Sequence, residues 1–166
     1  VSIILGIPLL VVLAITQSTI INDLRLLEGR PDLILIAVVS WGIIGRHKES
    51  MVWGLVGGLA LDLLSGLPLG VTAINLILIA FLVSFSEGRF WESHILMPLG
   101  VMLLASPLFY ILSILTLWTL GYDLEIGLAM SRVVLPGTFL NLLLILPGTQ
   151  IMNAIDRLIH PPEVSI

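Results

Sequence analysis

Cysteine is absent from the 166-residue chain, which removes disulfide frameworks and thiolate metal sites from consideration and says little about redox compartment. Charge is almost as scarce. Only 11% of residues are Asp, Glu, Lys or Arg, against roughly a quarter in an ordinary soluble domain, so water is not the main solvent for this chain. The formal net charge of −4 is small and dispersed, and it argues against nucleic-acid binding. Catalytic signatures are missing too: there is no Walker loop, no G-x-S-x-G elbow, no H-E-x-x-H and no S-x-x-K. No cofactor is implied, and no cleavable signal pattern is evident.

What the chain has in abundance is apolar residues, 58% of the total, arranged in blocks long enough to cross a lipid core. The pattern predicts an all-α, polytopic membrane protein, a single domain of six transmembrane helices. The first span runs from Ser2 to Ile21 across Pro8, followed by a polar loop from Asn22 to Arg30. Pro31 stands at the first position of a second span ending near Gly45, with Asp32 complementing the helix dipole. A third span, Met51 to Ser65, would be only ~22 Å long at 1.5 Å per residue, so it must be extended, sheltered or flanked by thinned bilayer. Ser65-Gly66-Leu67-Pro68 is an uncharged stop, and a fourth span from Leu69 to Phe85 completes a tight hairpin.

After the loop from Ser86 to His94, the fifth span runs from Ile95 to Leu120, with kinks expected at Pro98 and Pro107. The last apolar stretch, Gly127 to Ile159, is longer than a bilayer needs, with breaks expected at Pro136 and at Pro147-Gly148. Ile151, Ala154, Ile155, Leu158 and Ile159 then share one helical face opposite Asn153, Asp156, Arg157 and His160. That end reads as an interfacial helix or as an extension of span six.

With the N- and C-termini cytoplasmic, the inner segments carry Arg46, Lys48, Arg89 and Arg157, and the outer ones Arg25, Arg30 and Arg132. Trp41, Trp53 and Trp91 would mark the inner interface, and Trp118 and Tyr122 the outer.

Asp62 is the most informative residue. A carboxylate inside an apolar span costs several kcal/mol unless it is neutral, paired or facing a polar cavity. Gly54, Gly58 and Asp62 recur every four residues, and the two glycines allow another helix to approach closely. Three readings follow for Asp62, in order of preference. It fixes the hairpin by bonding Ser65 or the backbone around Gly66 to Gly70, it docks a partner helix, or it binds a ligand or proton. Asn141 is a second buried polar candidate, first of all an interhelical hydrogen-bond residue, and Gln17 and Asn75 are weaker versions of it. His47, His94 and His160 lie at separate span boundaries without metal-ligand spacing and read as solvated.

The run Arg30-Pro31-Asp32-Leu33-Ile34-Leu35-Ile36, then Ser40-Trp41, then the stretch from Gly54 to Gly70 resembles the bacterial rod shape-determining MreD family. Its sharpest part is Leu61-Asp62-Leu63-Leu64-Ser65-Gly66-Leu67-Pro68-Leu69-Gly70. Chain length, span number and Asn141 followed by Pro147 are also similar, while the weakly basic C-terminus departs from the arginine- or lysine-rich ends of many relatives.

The resemblance implies a non-enzymatic subunit of the cell-elongation complex in the bacterial inner membrane. Such a subunit binds MreC, and through it MreB, RodA and the penicillin-binding partner of RodA, in support of lateral peptidoglycan synthesis. It also implies a six-helix arrangement like that of the substrate-binding component of energy-coupling-factor transporters, and hence an alternative function in vitamin capture. Aromatics make up only 7% of the chain, so a vitamin-stacking pocket would be poorly supplied. The expected motif for holding a partner helix, or for shaping the bundle, comprises Gly54, Gly58, Asp62, Ser65, Gly66, Pro68, Gly70 and Asn141. Membrane lipids are further expected contacts, and the glycine spacing also admits a homodimer.

Overall fold

A computed structural model describes residues 2–23, 29–85 and 96–160. They form helices α1 (Ser2–Asp23), α2 (Leu33–Ile43), α3 (His47–Ser65), α4 (Val71–Ser84), α5 (Leu96–Thr119) and α6 (Ile126–Ile159). The sequence expectations for the loop from Ser86 to His94, including Arg89, Trp91 and His94, and for Arg25, fall outside the described residues.

α2 is the central post. From Ile34 to Gly42 every residue is buried, and α2 packs on α1, α3, α4, α5 and α6. A helix apolar on all sides has no face to offer water, so the other helices surround it. The outer helices reverse the usual soluble pattern, since large apolar side chains point outward: Leu63 is 72% exposed, Ile74 67%, Leu104 73% and Leu158 84%. α5 and α6 are long and apolar enough to cross a membrane, yet only 22% and 28% of their most apolar stretches are buried. A core helix of a soluble protein would be mostly covered. The interior, by contrast, holds Asp62, Asn141, Ser40, Ser50 and Ser106, each 1% exposed or less.

Several boundaries move. α3 starts at His47 rather than Met51, because Arg46 ends the preceding turn and the Ser50 N–H already bonds the Arg46 carbonyl at 2.8 Å. Its 19 residues reach ~28 Å at 1.5 Å each, which removes most of the expected shortfall. α2 starts at Leu33, with Asp32 as its N-cap and Pro31 one residue outside the helix.

Pro98 falls in the first turn of α5, where an N–H has no intrahelical partner anyway, so the reason for a kink there disappears. In α6 the expected break at Pro136 is a π-helical segment, Met130–Val134, in which the Leu135 N–H reaches the Met130 carbonyl. Proline cannot donate to the carbonyl four residues back, and the wider turn accommodates that loss. Pro147 does not break α6, since helix continues through it from Leu135 to Ile159. Ile151, Ala154 and Leu158 lie on the outward face of that end, and Met152 is buried.

Trp41 and Trp53 do not mark an interface. They are 0% and 1% exposed and stack inside the bundle with centroids 4.4 Å apart and planes 10° from parallel. The Trp41 Nε1–H donates to Glu49 at 3.0 Å.

Among the described residues, α3 and α4 share the most extensive contact. A Cβ built on Gly58 would collide with the backbone of Ala73, and one on Gly54 would lie 3.1 Å from the Leu76 backbone. The close-approach face read from the sequence is therefore filled by this chain's own α4. Because the obstacle at Gly58 is backbone, Gly58→Leu is expected to cost about 3 kcal/mol or to prevent folding. Gly100 has open space around its Cβ position, and Gly100→Ala should stay within about 0.5 kcal/mol of wild type or gain slightly. Unfolding of the two variants in mixed detergent micelles checks both.

Candidate functional site: two capped helix ends beside a cavity

One end of the bundle brings together the end of α1, the start of α2, the α3–α4 turn and the π-helical part of α6. Its chemistry is set by helix termini that would otherwise leave bare N–H groups in apolar surroundings.

The α3–α4 turn is built around Asp62. Gly66 (φ 69°) ends α3 in the left-handed region, and Gly70 (φ 99°) starts α4 from the same region. These positive φ values are open to glycine and strained for other residues. The turn between them, tied by the Val71 N–H to the Pro68 carbonyl at 3.3 Å, swings the start of α4 back over Asp62. Asp62 Oδ2 accepts from the N–H of Gly70 at 2.8 Å and of Ala73 at 3.4 Å, and Oδ1 accepts from the N–H of Thr72 at 3.0 Å.

Gly70 has no side chain with which to cap α4, so a carboxylate eight residues earlier does so. It also complements the positive end of the α4 dipole. The preferred sequence reading, hairpin fixing through backbone, thus matches the geometry, but with a shifted partner set. Thr72 and Ala73 join Gly70, and Ser65 is exposed on the wall of a neighbouring cavity rather than bonded to Asp62.

The N-terminus of α2 is capped by three side chains. Asp32 Oδ1 accepts from the Leu35 N–H at 2.9 Å, Gln17 Oε1 from the Ile34 N–H at 3.2 Å, and Asn141 Oδ1 from the Asp32 N–H at 2.7 Å. Asn141, 0% exposed, also donates through Nδ2 to Ser106 Oγ at 2.8 Å and to the Tyr110 hydroxyl at 3.2 Å. Tyr110 donates in turn to the Arg30 carbonyl at 3.3 Å. One amide therefore ties α6 to α5 and to the entry of α2. Asn75 plays a lesser part, donating to Ser113 of α5 at 3.2 Å.

Beside these caps lies a partly enclosed cavity of about 830 Å³. Its polar lining includes Gln17, Arg30, Asp32, Ser65, Tyr110 and Arg132, and its apolar wall includes Leu61, Leu64 and Val133. Among the described residues no group of three or more His, Asp or Glu side chains could hold a metal ion.

The opposite end is fastened differently. Arg46 Nε meets Asp156 Oδ1 at 3.1 Å, and His160 Nδ1 meets the same oxygen at 2.9 Å, so the C-terminal turn of α6 is pinned to the α2–α3 turn. His160, read from the sequence as solvated, has a carboxylate partner.

Of the eight motif residues, Gly54, Gly58, Asp62, Gly66, Pro68 and Gly70 form one hairpin, Ser65 faces the cavity, and Asn141 belongs to the second cap. Sequence reasoning missed Ser106 and Tyr110 as network members and Arg30 and Arg132 as cavity wall. The hydroxyl of Ser106 just before Pro107 in an apolar run was the available signal for one of them.

The family profile of the rod shape-determining protein MreD matches residues 2–154 of this chain. The chain belongs to the MreD family. It is accordingly a membrane shape-determining protein of the rod complex, and the hairpin motif sits inside the matched MreD segment. No solved structure matches this chain.

Asp62→Leu removes the acceptor for three N–H groups and is expected to cost about 3 kcal/mol, whereas Asp62→Asn keeps one oxygen and should cost less. Asn141→Leu should cost about 1–3 kcal/mol by leaving the buried Asp32 N–H without its acceptor. Thermal unfolding in detergent ranks the three.

Proposed function

We propose that this chain is a multi-pass subunit of the bacterial inner membrane that binds MreC. Through MreC it joins MreB, RodA and the penicillin-binding partner of RodA, and so supports lateral peptidoglycan synthesis without catalysing a step itself. The observation carrying this reading is the family match over residues 2–154, which includes the Asp62 hairpin. The outward apolar side chains of α1, α3, α4, α5 and α6 suit a protein that works by lateral contact within the membrane. Motif residues in this account shape the bundle, and MreC docks elsewhere, because α4 already occupies the Gly54–Gly58 seam.

Co-expression with tagged MreC tests both parts. The wild-type chain is expected to copurify with MreC in detergent, and failure to do so would overturn the partner assignment. A Cβ at Gly54 meets backbone atoms of Leu76 and Ile77 at 3.1–3.2 Å, which a shift of a few tenths of an ångström relieves, so Gly54→Ala should fold with some loss of stability. It is expected to capture as much MreC per folded chain as wild type. Loss of MreC from a folded Gly54→Ala chain would return the seam to the partner interface.

A further inference from the structure

We propose that the first part of α6, residues 126–133, is a hinged arm that swings where its π-helical turn meets Pro136, and so narrows or widens the neighbouring cavity. Burial changes abruptly along this helix. From Val134 onward one face is covered, at Val134, Gly137, Leu140, Asn141 and Ile145, whereas no residue of the arm is buried. The boundary itself is clamped. Gly29 lies so close to Pro136 and Gly137 that an added Cβ would collide with both, and a Cβ on Gly137 would meet the Tyr110 hydroxyl at 2.7 Å. On the arm, by contrast, a Cβ at Gly127 would find nothing within 4 Å. Among the described residues the main packing partner of the π turn outside α6 is α5. A segment with few buried contacts moves at little cost when its joints allow it.

Both joints do. At the outer one, the link from α5 passes through Gly121 at φ 88°, a conformation open to glycine. At the inner one, the Leu135 N–H reaches back five residues to Met130, and Pro136 has no N–H to donate. The hydrogen-bond ladder that stiffens a helix is therefore thinned where the arm joins the clamped stem, the usual setting of a helix bend. Ser131 Oγ donates to the carbonyls of Gly127 at 3.0 Å and Leu128 at 3.3 Å, which ties the arm together as one piece. Arg132 and Val133 travel with it, and both stand on the wall of the cavity of about 830 Å³ that Leu64 and Ser65 of α3 also line. A swing at the hinge thus changes what that cavity admits.

The motion needs no partner, so its test can fail without touching the MreC assignment. The chain has no cysteine of its own, which leaves engineered cysteines free to carry nitroxide labels. Leu63, Leu128 and Phe139 are all exposed, on α3, the arm and the stem respectively. Pulsed electron–electron resonance in lipid nanodiscs compares the pair Leu63→Cys with Leu128→Cys against the pair Leu63→Cys with Phe139→Cys. The arm pair is expected to give a distance distribution about twice as wide as the stem pair. Adding Pro136→Ala restores an N–H at the hinge and should narrow the arm distribution to that of the stem.

Equal widths for the two pairs with Pro136 in place would overturn the proposal without recourse to the alanine variant. An arm distribution that stays wide in a folded Pro136→Ala chain would overturn the assignment of the hinge to this turn.

Discussion

The structure depends on how helix ends are satisfied where water is scarce. A helix N-terminus carries N–H groups without intrahelical partners, and in an apolar setting each one left bare costs as much as a lost buried hydrogen bond. Two such termini, those of α2 and α4, are turned into the bundle. Asp62 answers for α4 with three accepted hydrogen bonds, and Asp32, Gln17 and Asn141 answer for α2. In each case an acceptor comes from a different helix, so the cap also fixes one helix against another. Removing a cap therefore loosens tertiary structure as well as a helix end.

The glycines serve the same arrangement. Gly58 brings α3 within backbone contact of Ala73, and that proximity places the start of α4 over Asp62. The left-handed turns at Gly66 and Gly70 provide the reversal. A seam of small residues in a membrane protein is easily read as a place for a second protein, but here the space is already spent inside the chain. The surface left for partners is the large apolar one around the bundle, together with the two ends.

Those ends differ in chemistry. One is tied by a compact ion pair and histidine contact, Arg46, Asp156 and His160, between a turn and the last helical turn of α6. The other combines buried amide and hydroxyl bonds with a cavity walled by arginines and leucines. The π-helical turn before Pro136 belongs to the second end and positions Arg132 and Val133 on the cavity wall. A local answer to a missing proline N–H thereby contributes to the shape of the cavity.

The sequence by itself determined the all-helical class, the family, the tight α3–α4 hairpin and the prominence of Asp62 and Asn141. Long apolar blocks, glycine-proline punctuation and isolated polar residues are local signals whose meaning survives without coordinates. Tertiary structure decided what local pattern cannot carry: which helix fills the Gly54–Gly58 seam, that Trp41 and Trp53 stack in the core, that α2 stands at the centre, and that Pro147 passes through a continuous helix. It also decided that Asp62 reaches Thr72 and Ala73, and that Asn141 reaches Asp32 across 109 positions. The physical reason is the same throughout. Hydropathy tells a side chain to leave water but not which neighbour to meet, and a buried donor or acceptor acquires its partner only when distant segments are packed together.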